Sequence, residues 1–227
     1  MLNIVATPIG NLDDISLRQA KILVSSDVIL AEDTRSAQIL FEAIKTRYTL
    51  HAPRYTKLIS YYKEKEFEKL PEVIEYLRQG RNVSLISESG SPLVCDPGYL
   101  LVKTCIKEKI PLTVVPGPSA VISSLVLSGF DPSEFMFLGF LPKKPSEKNK
   151  LINKLKSIKV FFPDMVFAFY ESSRRIDETL QSFMTLNWNP DISICREVTK
   201  KFEETIRGKA NELIGKLYKG EITILVK

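Results

Sequence analysis

The stretch SLISESGSPLVCDPGYLLV, residues 84–102, decides which fold this sequence can adopt. An apolar run at residues 83–87 predicts a buried strand, which opens directly into serine, glutamate and glycine. A second break, Asp96-Pro97-Gly98, precedes a segment of helical periodicity at residues 99–106. A buried strand, a long polar turn and a helix together are typical of one unit of an α/β sheet.

The same alternation of apolar and helical patterns runs along the whole chain. Because neighbouring parallel strands need crossover helices, it predicts an α/β fold with a largely parallel sheet. Glycine and proline interrupt the pattern at residues 128–132, which indicates a division into two domains in this region. Residues 51–57 are predicted to form a loop, and the predicted domains cover residues 1–118 and 119–227. Strands are predicted at residues 3–6, 28–31, 83–87, 112–115, 135–140, 166–170, 192–195 and 222–226, and helices at 15–24, 37–44, 67–77, 99–106, 120–127 and 176–184.

Composition narrows the class of protein. A hydrophobic content of 44% with 26% charged residues is ordinary for a globular protein with a real core. No apolar run approaches the ~20 residues that cross a bilayer, and the first residues lack a signal peptide pattern, so we expect a cytoplasmic protein without membrane contact. Three scattered cysteines and a single histidine predict no metal site.

Positive charge is concentrated in one segment. The net charge of +5 suits a polyanionic partner such as nucleic acid. Between Lys143 and Lys159 the only acid is Glu147. Such a run is either a solvated helix face or a surface that contacts phosphates. Its lysines are Lys143, Lys144, Lys148, Lys150, Lys154, Lys156 and Lys159.

Polar clusters follow most of the predicted strands. In open α/β sheets, ligands bind beyond the carboxyl ends of the strands. Each cluster alone has a structural explanation: Ser16 and Gln19 match a capping box, and Pro118-Ser119 could begin a helix. Their recurrence favours a ligand site. The clusters lie at residues 7–11, 32–35, 87–92, 116–120, 170–175 and 195–200.

The first of these loops limits the ligand. It lacks the G-x-G-x-x-G pattern of a dinucleotide site, and the chain has no phosphate-binding P-loop. Glu32 lies about 20 residues after the first loop, where an acid could hold a ribose, but without the glycines this signal for a nicotinamide-dependent oxidoreductase is weak. An adenosine-containing ligand without phosphates fits these loops better.

The ordered motifs carry a resemblance to a known family. They are VATPIGNLDDISLRQAKIL, AEDTR, LISESGSPLVCDPGYLLV, VVPGPSA with SGF, FLGFLPKK, FYESSRR and CREVTKKFEETIRG. Together they resemble the bacterial ribosomal RNA 2′-O-ribose methyltransferases of the tetrapyrrole methylase superfamily. The resemblance implies two α/β domains with S-adenosylmethionine in the cleft between them. It also implies a homodimer without a metal, and a cytidine ribose in ribosomal RNA or the small ribosomal subunit as substrate.

The resemblance also implies which residues hold the cofactor. The turn at Gly90 would let the backbone approach S-adenosylmethionine closely. The remaining contacts would come from the loops after the strands of both domains. The predicted cofactor residues are Pro8, Gly10, Gly90, Ser91, Val94, Asp96, Ser119, Ala120, Glu171 and Arg196.

Methyl transfer to a ribose hydroxyl needs positioning and a base. The candidate bases are the carboxylates Glu32, Asp33 and Glu88. Arg35 could hold a phosphate or pair with Asp33 as part of a helix cap. Tyr61 and Tyr62 could stack on a base or pack internally. The predicted RNA-binding residues are Arg35, Lys143, Lys144, Lys148, Arg174, Arg175 and Lys200.

The sequence departs from the family pattern in three places. Residues 88–92 read Glu-Ser-Gly-Ser-Pro in place of Asp-Ala-Gly-Thr-Pro, and two histidines usual in the family are replaced, one in the segment Ser60–Glu64 and one at residues 173–175. A tetrapyrrole or precorrin methyltransferase of the same superfamily is therefore the alternative function. A non-catalytic RNA-binding module is a third.

Overall fold

The computed structural model describes residues 1–50 and 56–227. These residues form two compact units, Met1–Ser119 and Ala120–Lys227, whereas the sequence prediction places the boundary between Pro118 and Ser119. Residues 51–55 of the predicted loop lie outside the described residues, and Lys57 begins a strand instead. In the described part of the chain, no helix has the length and apolar character that crossing a bilayer requires.

The first unit is a parallel sheet with the strand order β3-β2-β4-β1-β5. All four predicted strands of this unit are present within a residue or two of their predicted ends. The unit runs β1 (Leu2–Val5), α1 (Leu17–Ser25), β2 (Val28–Ala31), α2 (Thr34–Tyr48), β3 (Lys57–Ser60), α3 (Glu66–Arg78), β4 (Val83–Ile86), α4 (Tyr99–Lys107) and β5 (Leu112–Val115).

The central strands of the first sheet are buried on both faces. Leu2, Leu30 and Leu85 point into one core cluster, while Val5 and Ile29 point into the opposite one. Helices cover both faces, which explains why every residue of β1, β2 and β4 is buried and why apolar residues predominate in these strands without alternation. The added strand β3 lies at the sheet edge and begins at an exposed lysine, so it lacks that apolar signal.

The second unit has a mixed sheet with the order β6-β7-β10-β8-β9. Only β6 and β7 are parallel, so the prediction of a largely parallel sheet is wrong here. The unit runs α5 (Ala120–Ser128), β6 (Phe135–Phe140), α6 (Pro145–Phe161), β7 (Val166–Ser172), α7 (Ile176–Thr185), β8 (Asp191–Arg196), β9 (Glu204–Lys209), α8 (Ala210–Leu213) and β10 (Glu221–Val226).

The antiparallel part arises from a connection too short for a crossover helix. The turn at residues 197–203 joins β8 to β9, and the pair closes with Arg196 opposite Glu204. Strand β10 then inserts between β7 and β8, antiparallel to both. Strand β9 is not predicted because its sequence, ETIRGK, contains three charged residues and a single large apolar one, Ile206.

The glycine and proline interruption at residues 128–132 lies inside the second unit. Helix α5, which precedes it, packs on strands β8 and β10 of that unit. The Arg207 side chain Nε–H donates to the Ser128 carbonyl (2.8 Å), and its Nη2 also donates to the Leu127 carbonyl. These bonds satisfy carbonyls at the end of α5 and fix the turn in place. The interruption therefore marks a helix end rather than a domain boundary.

Candidate active site

The loops after β1 and β4 are joined by a short backbone bridge. The Thr7 N–H donates to the Gly90 carbonyl (2.8 Å), and the Gly90 N–H donates to the Thr7 carbonyl (3.2 Å). Two hydroxyls reinforce the bridge: Thr7 Oγ1 donates to the Ser87 carbonyl (3.1 Å) and Ser87 Oγ to the Gly90 carbonyl (2.8 Å). Ser87, one of the serines of the polar turn, thus stabilises the loop itself. Not every hydroxyl of residues 87–92 is therefore available to a ligand.

Gly90 lies where three strand ends converge. Its φ of +83° lies in the left-handed region, which favours glycine. A Cβ there would lie 3.3 Å from Ile9 Cγ2 and 3.5 Å from the Pro118 carbonyl oxygen. The loops after β1, β4 and β5 therefore meet around this glycine, as expected for the ligand-binding edge of a parallel sheet.

The remainder of the β4–α4 loop adopts an unusual backbone. Leu93 and Cys95 both have φ of +71°, a conformation that non-glycine residues rarely adopt. Val94, between them, exposes 45% of its surface. Strained conformations of this kind persist only where the surrounding structure fixes them. The loop therefore presents its short apolar tip in a defined conformation.

A buried carboxylate fixes the far end of this loop. Glu66, at the start of α3, is only 6% exposed. Its Oε1 accepts hydrogen bonds from the Gly98 N–H (3.1 Å) and the Leu100 N–H (2.9 Å), and the Tyr61 hydroxyl lies within 3.4 Å. It caps the amino terminus of α4, favourably placed for the helix dipole. No local pattern indicates this role because the capped amides lie 32 or more residues further along the chain.

Three carboxylates near the strand ends influence one another. Burial, followed by repulsion from Glu32 and Glu88, raises the pKa of Asp96 to about 6. Burial, Glu88 and Glu64 likewise raise the pKa of Glu32. No salt bridge within residues 1–50 and 56–227 neutralises Glu32, Glu88 or Asp96. This edge of the sheet therefore carries negative charge that a cationic ligand would relieve.

The Asp96 pKa gives a stability prediction. In the folded protein the pKa of Asp96 lies above its usual value of 3.8, so folding is favoured when the carboxyl group is neutral. This stabilising contribution is fully present below about pH 4 and is lost as the pH rises through about 6. After allowance for solvent screening, Asp96→Asn should add about 1 kcal/mol at pH 8, or about 2–4 °C in melting temperature. At pH 4 the two proteins should melt together in calorimetry. An equal difference at both pH values would contradict the prediction.

Asp33 and Arg35 form a local cap and ion pair. Asp33 accepts hydrogen bonds from the Arg35 backbone N–H (2.8 Å), Nε (3.1 Å) and Nη2 (2.8 Å) at the start of α2. The Arg35 side-chain hydrogen bond is the largest cause lowering the pKa of Asp33, which is about 2. Asp33 is therefore the weaker base of the two acids in the EDTR motif. Arg35 remains exposed beside it.

In the second unit, two predicted site residues bind each other. Glu171 is buried, and its carboxylate contacts Arg175 Nη2 (2.5 Å), the Thr179 hydroxyl (2.8 Å) and the Ser172 N–H (2.7 Å). The Arg175 guanidinium also donates to the Leu141 carbonyl (3.3 Å). The structure thus gives both residues a role in shaping the end of β7, and their predicted ligand contacts stay predictions.

Burial contradicts the predicted RNA-binding role of Lys148 and decides between the two roles left open for Tyr61. Lys148 has no exposed surface, and its ammonium group binds Glu178 Oε1 at 2.8 Å, so it cannot join a phosphate-binding surface. Tyr61 is also fully buried and packs in the core of the first unit, so it cannot stack on an RNA base. In both cases the sequence motif could not show which face of the element pointed inward.

The remaining predicted residues have the following surroundings. Arg196 pairs with Glu204 (2.6 Å), and Lys200 pairs with Glu197 (3.1 Å) and Glu221 (2.8 Å). Lys144 pairs loosely with Glu147 at 3.4 Å. Lys143, Arg174, Gly10 and Glu88 are exposed, whereas Pro8, Ser91, Ser119 and Ala120 are half-buried. Nowhere in the described residues do three or more histidine, cysteine or acidic side chains cluster as metal ligands.

Comparison with known proteins identifies the family. The family model for Tetrapyrrole (Corrin/Porphyrin) Methylases matches residues 1–214. A protein of Thermotoga maritima named Ribosomal RNA small subunit methyltransferase I is 38% identical, covering 99% of this chain and 97% of its own length. A protein of the same name from Hydrogenobaculum is 40% identical, covering 99% of this chain and 94% of its own length.

Solved structures agree on the fold. The methyltransferase CobJ superposes with a TM-score of 0.70 at 19% identity, covering 99% of this chain and 92% of its own. The cobalt precorrin-4 methyltransferase CbiF gives 0.64 at 17% identity, covering 99% and 94%. These structures confirm the predicted two-unit α/β fold. The family model and the named relatives confirm methyltransferase activity and S-adenosylmethionine as the methyl donor. From the family model and these relatives, we conclude that the chain belongs to the tetrapyrrole methylase family.

Proposed function

We propose that this chain methylates a ribose 2′-hydroxyl, that of a cytidine, in the RNA of the small ribosomal subunit. The observation that carries the proposal is the similarity to proteins named Ribosomal RNA small subunit methyltransferase I, at 36–40% identity over nearly the whole chain. The solved structures of precorrin methyltransferases are under 20% identical and support only the shared fold.

The strand ends of the first unit fit the cofactor. Glu32, Glu88 and Asp96 form no salt bridge within residues 1–50 and 56–227, and such carboxylates suit a sulfonium cation. The bridge between Thr7 and Gly90 brings backbone close to any ligand at this edge. S-adenosylmethionine supplies an activated methyl group when bound. The residues that would hold it are those of the β1 and β4 loops, with Ser119 and Ala120 near the unit boundary. Its predicted position between the two domains stays a prediction.

Glu32 and Glu88 are the proposed acceptors of the ribose hydroxyl proton. A base is most effective when its pKa lies near the working pH, and burial raises the pKa of Glu32 toward that range. Asp33 is disfavoured because its pKa is about 2. These residues need no histidine, so the two histidines replaced in this sequence do not prevent the reaction.

The test is methyl transfer to ribosomal particles. Small ribosomal subunits from cells lacking this protein are incubated with the purified chain and S-adenosylmethionine labelled in the methyl group. We expect label in one 2′-O-methylcytidine, identified by nuclease digestion and mass spectrometry. Naked small-subunit RNA in a parallel reaction decides whether the assembled particle is needed.

Two controls sharpen this experiment. Subunits from wild-type cells should accept no further label because their site is already modified. A precorrin mixture tests the alternative substrate under the same conditions. Label in the precorrin, with none in either RNA sample, would overturn the proposal in favour of a small-molecule methyltransferase.

We also infer a homodimer and a cytoplasmic location, which follow from the family resemblance and from ribosomal RNA as substrate. Several large apolar side chains are exposed in the single chain, including Ile39 (72%), Phe67 (81%) and Val126 (74%). Exposed apolar surface is what an interface between subunits would cover. Sedimentation equilibrium gives the mass in solution, and a monomer at micromolar concentration would contradict the dimer.

A further inference from the structure

An irregularity in the edge strand of the second unit redirects one aromatic side chain. Strand β6 pairs in parallel with β7, and the register shifts between Phe137 and Phe140. Gly139, within this shift, has φ of +67°, which permits the local bend. After the shift, Phe140 lies opposite Tyr170 at the carboxyl end of both strands.

The redirected ring is held on one side and exposed to solvent on the other. The centroids of the Phe140 and Tyr170 rings are 5.4 Å apart, and Phe137 packs edge-on against the same tyrosine at 5.0 Å. Phe140 nevertheless exposes 59% of its surface. A ring fixed by aromatic neighbours loses little conformational entropy when a planar group stacks on it.

Several cations lie in the segments that follow the paired ends of β6 and β7. Lys143 and Lys144 follow it by three and four residues. The turn after β7 brings further positive charge: the Arg175 guanidinium donates to the Leu141 carbonyl (3.3 Å), and exposed Arg174 precedes it. The nearby acids are already paired, Glu171 with Arg175 and Glu147 with Lys144. Exposed Lys143 and Arg174 therefore leave net positive charge beside an exposed aromatic ring.

We propose that Phe140, held against Tyr170, is a stacking surface for an unpaired RNA base, with Lys143 and Arg174 binding the phosphates on either side. Exposed aromatic rings beside cations are the usual means by which proteins bind unpaired nucleotides. Phosphates alone would need only the cations, and internal packing alone would bury the ring. This inference rests on the proposed function and specifies part of its RNA-binding surface.

The experiment separates stacking from charge. The full chain and its variants are titrated with a fluorescent single-stranded RNA oligonucleotide of mixed sequence at several salt concentrations. Phe140→Leu should weaken RNA binding about 5- to 150-fold without changing the slope of log affinity against log salt. Phe140→Trp should restore affinity. Lys143→Ala should instead reduce the salt slope by about 0.7.

A matched control uses another exposed phenylalanine. Phe161 ends α6 and is 79% exposed, and Phe161→Leu should leave RNA affinity unchanged. Circular dichroism confirms that each variant is folded, and cofactor affinity is measured by calorimetry. Unchanged RNA affinity of Phe140→Leu, or a loss confined to cofactor affinity, would overturn the stacking role. If the stacking role failed but the chain still methylated ribosomal subunits, the proposed function would stand. If the wild-type chain did not methylate RNA, both the stacking role and the proposed function would be overturned.

Discussion

Gly98→Ala is expected to lower the free energy of unfolding by about 3–5 kcal/mol. Gly98 has φ of +122°, and a Cβ there would lie 2.5 Å from Leu85 Cδ2 and 3.2 Å from Leu93 Cδ1. Leu85 is fully buried in the core cluster of the first unit, so its methyl group has little space into which it can move. The substitution therefore combines backbone strain with overpacking. It would also displace the Gly98 N–H group, which donates a hydrogen bond to the Glu66 carboxylate.

Gly80→Ala is the matched control for this effect. Gly80 also has positive φ, +76°, but a Cβ there would meet nothing within 4 Å. Only the backbone strain of about 1 kcal/mol should remain. Denaturant unfolding followed by far-ultraviolet circular dichroism gives both values. Similar losses for the two variants would show that packing against Leu85 does not constrain the loop.

Glu32→Gln is expected to lower the rate of methyl transfer about 10²–10⁴-fold. The amide keeps the size of the side chain but cannot accept a proton. Since its pKa is raised by burial, Glu32 is a better base than Asp33, whose pKa is about 2, and Asp33→Asn should have the smaller effect. Single-turnover rates at saturating cofactor and RNA separate this loss from weaker binding.

Glu64→Gln provides the control for charge alone. Glu64 is exposed and influences Glu32 through repulsion. Its substitution removes one negative charge from the surroundings without removing the proposed base, so the rate should change by about threefold or less. If Glu64→Gln and Glu32→Gln reduced the rate equally, negative charge at the strand ends, rather than proton acceptance by Glu32, would account for the loss.

Most of the fold was predictable because its strands are buried on both faces. The continuous apolar run of β2 predicts that strand at its observed bounds. The bounds of β5 are also predicted, although it lies at the sheet edge and is only partly buried. Of the four edge strands in the two described sheets, β3 and β9 are not predicted because they mix charged and apolar residues. The edge strands β5 and β6 contain no charged residue and are predicted. The antiparallel pairing of the second sheet depends on where β10 inserts, and no local pattern encodes this long-range choice.

The candidate site was predictable only as a set of loops. The sequence identified the polar turn around Gly90 and placed Glu32 and Asp96 at the strand ends. It could not identify Glu66, whose partners lie far along the chain, or show that Lys148 points inward toward Glu178. Side-chain orientation on a helix with lysines on several faces requires knowledge of its packing partners. Motifs therefore indicated the chemistry, whereas the tertiary contacts decided which residues are available for it.

The reciprocal hydrogen bonds between Thr7 and Gly90 have a consequence for protein engineering. Thr7 and Gly90 belong to two loops, residues 7–11 and 87–92. If only one of these loops were replaced by that of a relative, a native loop would face a foreign one. Recombination designed to alter substrate preference should therefore transplant residues 7–11 and 87–92 together, so that the Thr7 hydroxyl and the left-handed Gly90 that shape the bridge keep their native partners.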